Sequence, residues 1–199
     1  GGSNRPYWTT ITPAPRVERD KVEITPGRPG TQRLRWHNVC LVTEHQGGYN
    51  TLLAGEQGKH EAWVDQVKMF NKRGRWAASS QAFGNRYVAY VTGGETTEMA
   101  NGPGGRLVRD HHLTRITSDA FSGGGRLVVN CSATDINPGK TGAHPDFHQS
   151  YSRAPGWTQD VILYNVRGYD IVSQGLFGSR LRNAAFVNVL IDKGDTVMY

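Results

Sequence analysis

The phrase Gly105-Arg-Leu-Val-Arg-Asp110 returns twenty residues later as Gly125-Arg-Leu-Val-Val-Asn130, and echoes follow in Val161-Ile-Leu-Tyr-Asn165 and Ala185-Phe-Val-Asn188. A short unit of this kind cannot bury an apolar face alone, so its repetition implies units that stack. The unit has inner structure. Five residues after the polar anchor stands a charged residue followed by Ile, in Arg115-Ile116, Asp135-Ile136 and Asp170-Ile171. A second polar position follows in Asp119, Asp146 and Gln174, and Gln81 in Ser80-Gln-Ala-Phe83 fits the same place. Extending the series backward gives anchors at Asn38, Asp65, Thr92, Asp110, Asn130, Asn165 and Asn188.

The residues between anchors favour strands. Val, Ile, Thr and Tyr dominate, no 3.6-residue period is sustained, and 25 glycines supply frequent turns. Coils of 18 to 35 residues (Thr92 to Asp110, Asn130 to Asn165), built from such short strands, wind economically as a parallel β-helix, each strand pairing with its counterpart one coil up. The expected fold is an all-β, right-handed solenoid of about six to seven coils over residues 34–199. Residues 1–33, rich in proline and without an apolar period, read as an extended arm or linker, with Tyr7-Trp8 placed to pin it to the body. The last coil ends without the amphipathic cap a solenoid end requires, which suggests a fragment, a processed chain or an end covered by a partner.

The formal charge of +6 favours anionic partners, but the 23 Lys and Arg are scattered and form no nucleic-acid motif. No apolar run is long enough to span a membrane, and no signal-peptide pattern stands at the amino terminus. Cys40 and Cys131 fall four coils apart, roughly 19 Å at the strand spacing, too far for a disulfide.

The polar ladder, the phrase Ser118-Asp-Ala-Phe-Ser-Gly123 and the phrase Ala143-His-Pro-Asp-Phe-His-Gln149 resemble the right-handed parallel β-helix proteins of the pectate-lyase-like group, over residues 34–199. That group includes polysaccharide lyases, glycoside hydrolases, epimerases, tailspikes and adhesins, and the chain carries no complete catalytic motif of any one enzyme family among them. The resemblance implies an extracellular or cell-surface setting and an acidic polysaccharide or glycan as partner.

Candidate chemistry follows from position. Asp119 and Asp146 hold equivalent places in successive coils, so their Cα atoms should lie about 4.8 Å apart, close enough for one carboxyl to titrate high and the pair to divide acid and base roles. The alternative is a ladder of side chains that satisfies backbone groups. Arg109, beside Asp110, His111 and His112, would neutralise a uronate carboxylate or orient Asp119; its bland alternative is an ion pair with a neighbouring acid. The 137–159 loop adds Lys140 and His148 as candidate catalytic groups, with His144, Gln149, Arg153 and Trp157 as substrate contacts alongside His111. Asp110, Asp119, Asp135 and Asp146 are the oxygen donors from which a Ca²⁺ site could be built. Two functions compete: a lyase or hydrolase acting on an acidic polysaccharide, and a structural or adhesive β-helix that binds glycans or self-assembles without turnover.

Overall fold

A computed structural model describes residues 7–24, 33–44, 62–77, 88–121, 127–141, 143–150, 158–172 and 174–193. The chain is an all-β parallel β-helix. Its strands in chain order are β1 (Thr9–Ile11), β2 (Glu23–Ile24), β3 (Leu34–His37), β4 (Cys40–Thr43), β5 (Ala62–Asn71), β6 (Val88–Thr97), β7 (Leu107–Arg109), β8 (His112–Ile116), β9 (Leu127–Val129), β10 (Ser132–Ile136), β11 (Asp146–Ser150), β12 (Thr158–Ile171), β13 (Gln174–Gly178) and β14 (Leu181–Ile191). The first face of the solenoid stacks β1, β3, β5, β6, β7, β9, β12 and β14, all parallel. The second stacks β2, β4, the later halves of β5 and β6, β8, β10, and the later halves of β12 and β14. A third, smaller face pairs β11 with β13, and Phe121 bridges to His148.

The winding therefore begins earlier than expected. Thr9–Ile11 and Glu23–Ile24 are rungs of the first and second faces, so this part of the amino-terminal segment is a coil rather than an arm or linker. Trp8 does pin it, packing edge-on against Trp63 and Tyr90.

Between the first two faces the backbone turns at a residue with positive φ: Asn38, Gln66, Gly93, Asp110, Asn130, Asn165 and Asn188. Asn, Asp and Gly tolerate this left-handed conformation best, which is why the anchors repeat. Two anchors read from the sequence are displaced by one residue. Asp65 and Thr92 belong to the strand, and Gln66 and Gly93 make the bend. Along the ladder each amide donates to the coil before it: Asn130 Nδ2 to Asp110 Oδ1 at 3.1 Å, Asn165 to Asn130 at 2.9 Å, and Asn188 to Asn165 at 2.8 Å.

Inward-facing residues stack by coil. One column runs Trp36, Val64, Val91, Val108, Val128 and Leu163, all buried. Another runs Leu41, Met69, Thr96, Leu113, Ala133 and Gly168. Between them lie Val39, Val67, Gly94, His111, Cys131 and Val166, inferred from the flanking register. Volume is balanced between coils. A Cβ on Gly168 would come within 2.7 Å of the Phe147 ring, so the missing side chain makes room for a phenylalanine from the third face.

A second bend carries Glu98, Arg115, Asp135 and Asp170, again at positive φ. The last three are the charged residues that precede Ile in the repeat, and Glu98 precedes Met99 at the same place. Opposite charges face each other: Arg115 Nη1 lies 2.8 Å from Glu98, and the buried Arg75 reaches both the carboxylate of Asp135 at 2.8 Å and its carbonyl at 2.9 Å. Arg75→Met leaves the Asp135 carboxylate without that partner, and urea unfolding should show a loss of about 1–3 kcal/mol. An unchanged midpoint would mean that this clamp contributes nothing.

Both cysteines are buried, and no disulfide joins them. Burial pushes the thiols up, to about 11 for Cys40 and about 12 for Cys131, which keeps both protonated at neutral pH. At the far end, β14 pairs only with β12 among the described residues, and Phe186, Val187 and Leu190 are exposed. No helix is long and apolar enough to cross a membrane among the described residues.

Candidate functional site

The outer side of the first face gathers the side chains best placed for chemistry. Alternation along each strand sends every second residue outward, and parallel in-register pairing lines these up. One column reads Arg35, Trp63, Tyr90, Leu107, Leu127 and Ile162. The next reads His37, Asp65, Thr92, Arg109, Val129 and Tyr164.

Asp65 is the hub. Its Oδ2 accepts from Arg35 Nη2 and stands 2.8 Å from His37 Nδ1, while the Thr92 hydroxyl donates to Oδ1. Trp63 Nε1 in turn donates to Thr92 Oγ1 at 2.8 Å. Burial works against the Asp65 carboxylate, yet the hydrogen bonds from Thr92, Arg35 and His37 outweigh it and hold its pKa below the usual range. A charged carboxylate can only accept, so Nδ1 of His37 carries the proton. In the neutral ring Nε2 is then the basic nitrogen, and the dyad fixes its direction. Arg35 lies 4.3 Å over the Trp63 ring, and Trp63, Tyr90 and Trp8 meet edge to face. Arg106 Nη1 reaches the Tyr90 hydroxyl at 3.3 Å.

The residues expected from sequence do not form one cluster. Arg109 belongs to this outer face, exposed and paired through Nε with Asp110 at 3.1 Å. Asp119 and Asp146 do sit in register in successive coils, as the bonds from Ala120 N to Asp146 O and Phe121 N to Phe147 O require. They lie on the third face, however, with Asp119, Asp146 and His148 keeping only 2, 3 and 2 % of their surface exposed. Asp119 Oδ1 accepts the Asp146 backbone N–H at 3.2 Å, and its Oδ2 accepts from Asn101 Nδ2 at 3.3 Å. Gln149 Nε2 donates to Asp146 Oδ2 at 3.0 Å, against which burial still pushes the Asp146 pKa up to about 6. Lys140 and His144 are exposed on the connection between β10 and β11, and Arg153 and Trp157 lie outside the described residues, as does Gln81.

His111 is placed inside. Its ring is fully buried in the core column, with Nδ1 2.8 Å from the Gly93 carbonyl and Nε2 2.9 Å from Thr96 Oγ1. The carbonyl fixes the proton on Nδ1, so Thr96 donates to Nε2. Both nitrogens are satisfied, and burial pulls the pKa down to about 4. It holds the core together and does not reach a substrate on the surface.

The aspartates considered for calcium do not converge. Asp110 stands at the first bend, Asp135 at the second with Arg75, and Asp119 and Asp146 on the third face. Among the described residues, no three His, Cys, Asp or Glu side chains are grouped to hold a metal. Asn101, which continues the Asp119 ladder, and the His37–Asp65 pair were not singled out from the sequence. Comparison with protein-family models found no match, and comparisons with curated proteins and with solved structures found none either.

Proposed function

We propose that the protein is carbohydrate-active and takes an acidic polysaccharide along the outer side of its first face, as the likeness to the pectate-lyase-like group suggests. The Asp65-held His37, beside an arginine stacked on tryptophan, is the observation that carries this reading. Tryptophan and tyrosine faces stack on sugar rings, and Arg35, Arg106 and Arg109 supply cations for uronate carboxylates. The pyranose repeat is close to the rise between coils, so a chain lying along the axis meets an equivalent position at each rung. His37 Nε2 removes the C5 proton, the C4–O bond breaks as the C4–C5 double bond forms, and the departing oxygen takes a proton from the imidazolium or water. Such a substrate sets the protein outside the cell or at its surface.

A second reading, a glycan-binding or self-assembling β-helix without turnover, is favoured by the burial of Asp119 and Asp146 in amide and backbone hydrogen bonds. A panel of polyuronates separates the two. The expected result is ultraviolet-absorbing unsaturated ends from one polymer, reduced about 10²- to 10⁴-fold in His37→Ala with binding retained. Binding without product from any polymer favours the second reading. Equal binding of neutral and anionic glycans, with no product, overturns the first reading.

A further inference from the structure

The outer side of the second face carries a separate column that neither reading uses. In register it runs Lys68, Glu95, His112, Ser132 and Arg167. His112 and His111 are neighbours with opposite fates: alternation sends His111 into the core and His112 out to solvent. His112 Nδ1 stands 2.7 Å from Ser132 Oγ, the contact of a nucleophile with its base. Glu95 occupies the register position on the other side of His112, with its own Oε1 3.1 Å from Lys68 Nζ. Arg167 occupies the position beyond Ser132. A carboxylate, an imidazole, a hydroxyl and a guanidinium thus follow one another at the strand spacing, about 4.8 Å per step. That is the order in which an acyl-transfer site uses them: orienting anion, base, nucleophile, oxyanion partner.

We propose that Ser132 and His112 form a second active site, one that hydrolyses carboxylic esters through an acyl-serine. The Ser132 hydroxyl donates to Nδ1 of His112, which leaves the ring proton on Nε2. In the first step Oγ attacks the ester carbonyl carbon, a C–O bond forms, and the hydroxyl proton passes to Nδ1. The tetrahedral oxyanion faces Arg167. Collapse breaks the bond to the alkoxide, which takes the proton back from Nδ1 and leaves as an alcohol. Water then attacks the acyl-serine, giving its proton to His112. The carboxylic acid departs, and the proton returns to Ser132. Water is the sole co-reactant. The cations at Lys68 and Arg167 favour esters that carry a negative charge near the carbonyl.

The test uses the whole chain and two probes. A fluorophosphonate forms a P–O bond to an activated serine with loss of fluoride, and peptide mass spectrometry should place a single adduct on Ser132. The labelling rate should fall about a hundredfold in His112→Gln. Hydrolysis of p-nitrophenyl acetate should show a burst that disappears in Ser132→Ala, and Arg167→Met should lower its kcat about 10²-fold. Circular dichroism on each variant checks the fold, and binding to polyuronates should be unchanged, since these residues lie off the first face. No adduct on Ser132, or an adduct whose rate ignores His112→Gln, overturns the proposal.

Discussion

Gly94→Val should leave little or no folded protein. Gly94 has φ +82, a conformation that costs a β-branched residue heavily, and a Cβ there would come within 2.2 Å of the Val67 carbonyl oxygen and 2.6 Å of its nitrogen. Those are backbone atoms of the preceding coil, paired in the ladder, so they cannot rotate away. The same position also neighbours His111 in the core column, and two valine methyls would compete with the imidazole for one layer. Strain and overpacking together reach about 3–6 kcal/mol, comparable to the stability of a whole domain. Soluble yield and far-ultraviolet circular dichroism report the outcome. A variant that folds with a midpoint near that of the parent would show that the coils can separate here.

Asp146→Asn should stabilise the protein at neutral pH and expose an acid sensitivity that the parent conceals. Burial raises the Asp146 pKa from 3.8 to about 6, so between those values the folded state binds a proton that the unfolded state does not. The stability this contributes is fully present below pH 3.8 and is lost as pH rises through about 6. His111 works the other way. Its pKa falls from 6.5 to about 4, so the unfolded state binds the proton first, and its contribution is present above 6.5 and lost as pH falls through about 4. Each shift corresponds to about 3 kcal/mol, and across the shared window the two oppose each other. Asparagine keeps an acceptor for Gln149 and carries no charge to bury. Urea midpoints should therefore rise at pH 7–8 and fall steeply between pH 6 and 4, where the parent profile is shallower. Parallel profiles for parent and variant would show that Asp146 is not the group involved.

The sequence made the winding legible because the left-handed bend accepts few residue types. Asn38, Asp110, Asn130, Asn165 and Asn188 announced it directly. The same preference misled at Gln66, a poorer residue for that bend. Asp65 beside it resembles an anchor more closely, so the pattern points to a strand residue in place of the bend and hides the outward partner of His37. Register also gave Asp119 and Asp146 correctly, but their enclosure depends on what covers the third face, and local pattern does not encode that. Nothing in the phrase Asp110-His-His112 tells which histidine points inward. The pairing between coils decides it, setting His112 against Glu95 and His111 in the inward column beside Gly94. Contacts between coils are long-range in sequence, and their volumes compensate across gaps that no period marks.

The amide ladder at the first bend has a direction. Each asparagine donates to the residue beneath it, and the series ends on the carboxylate of Asp110, which only accepts. Spontaneous deamidation of Asn130 would exchange a donor for a second carboxylate and set two anions face to face between adjacent coils. Protein ageing at that single amide would then loosen the cylinder at its middle, while the same lesion at Asn188 would break only one rung.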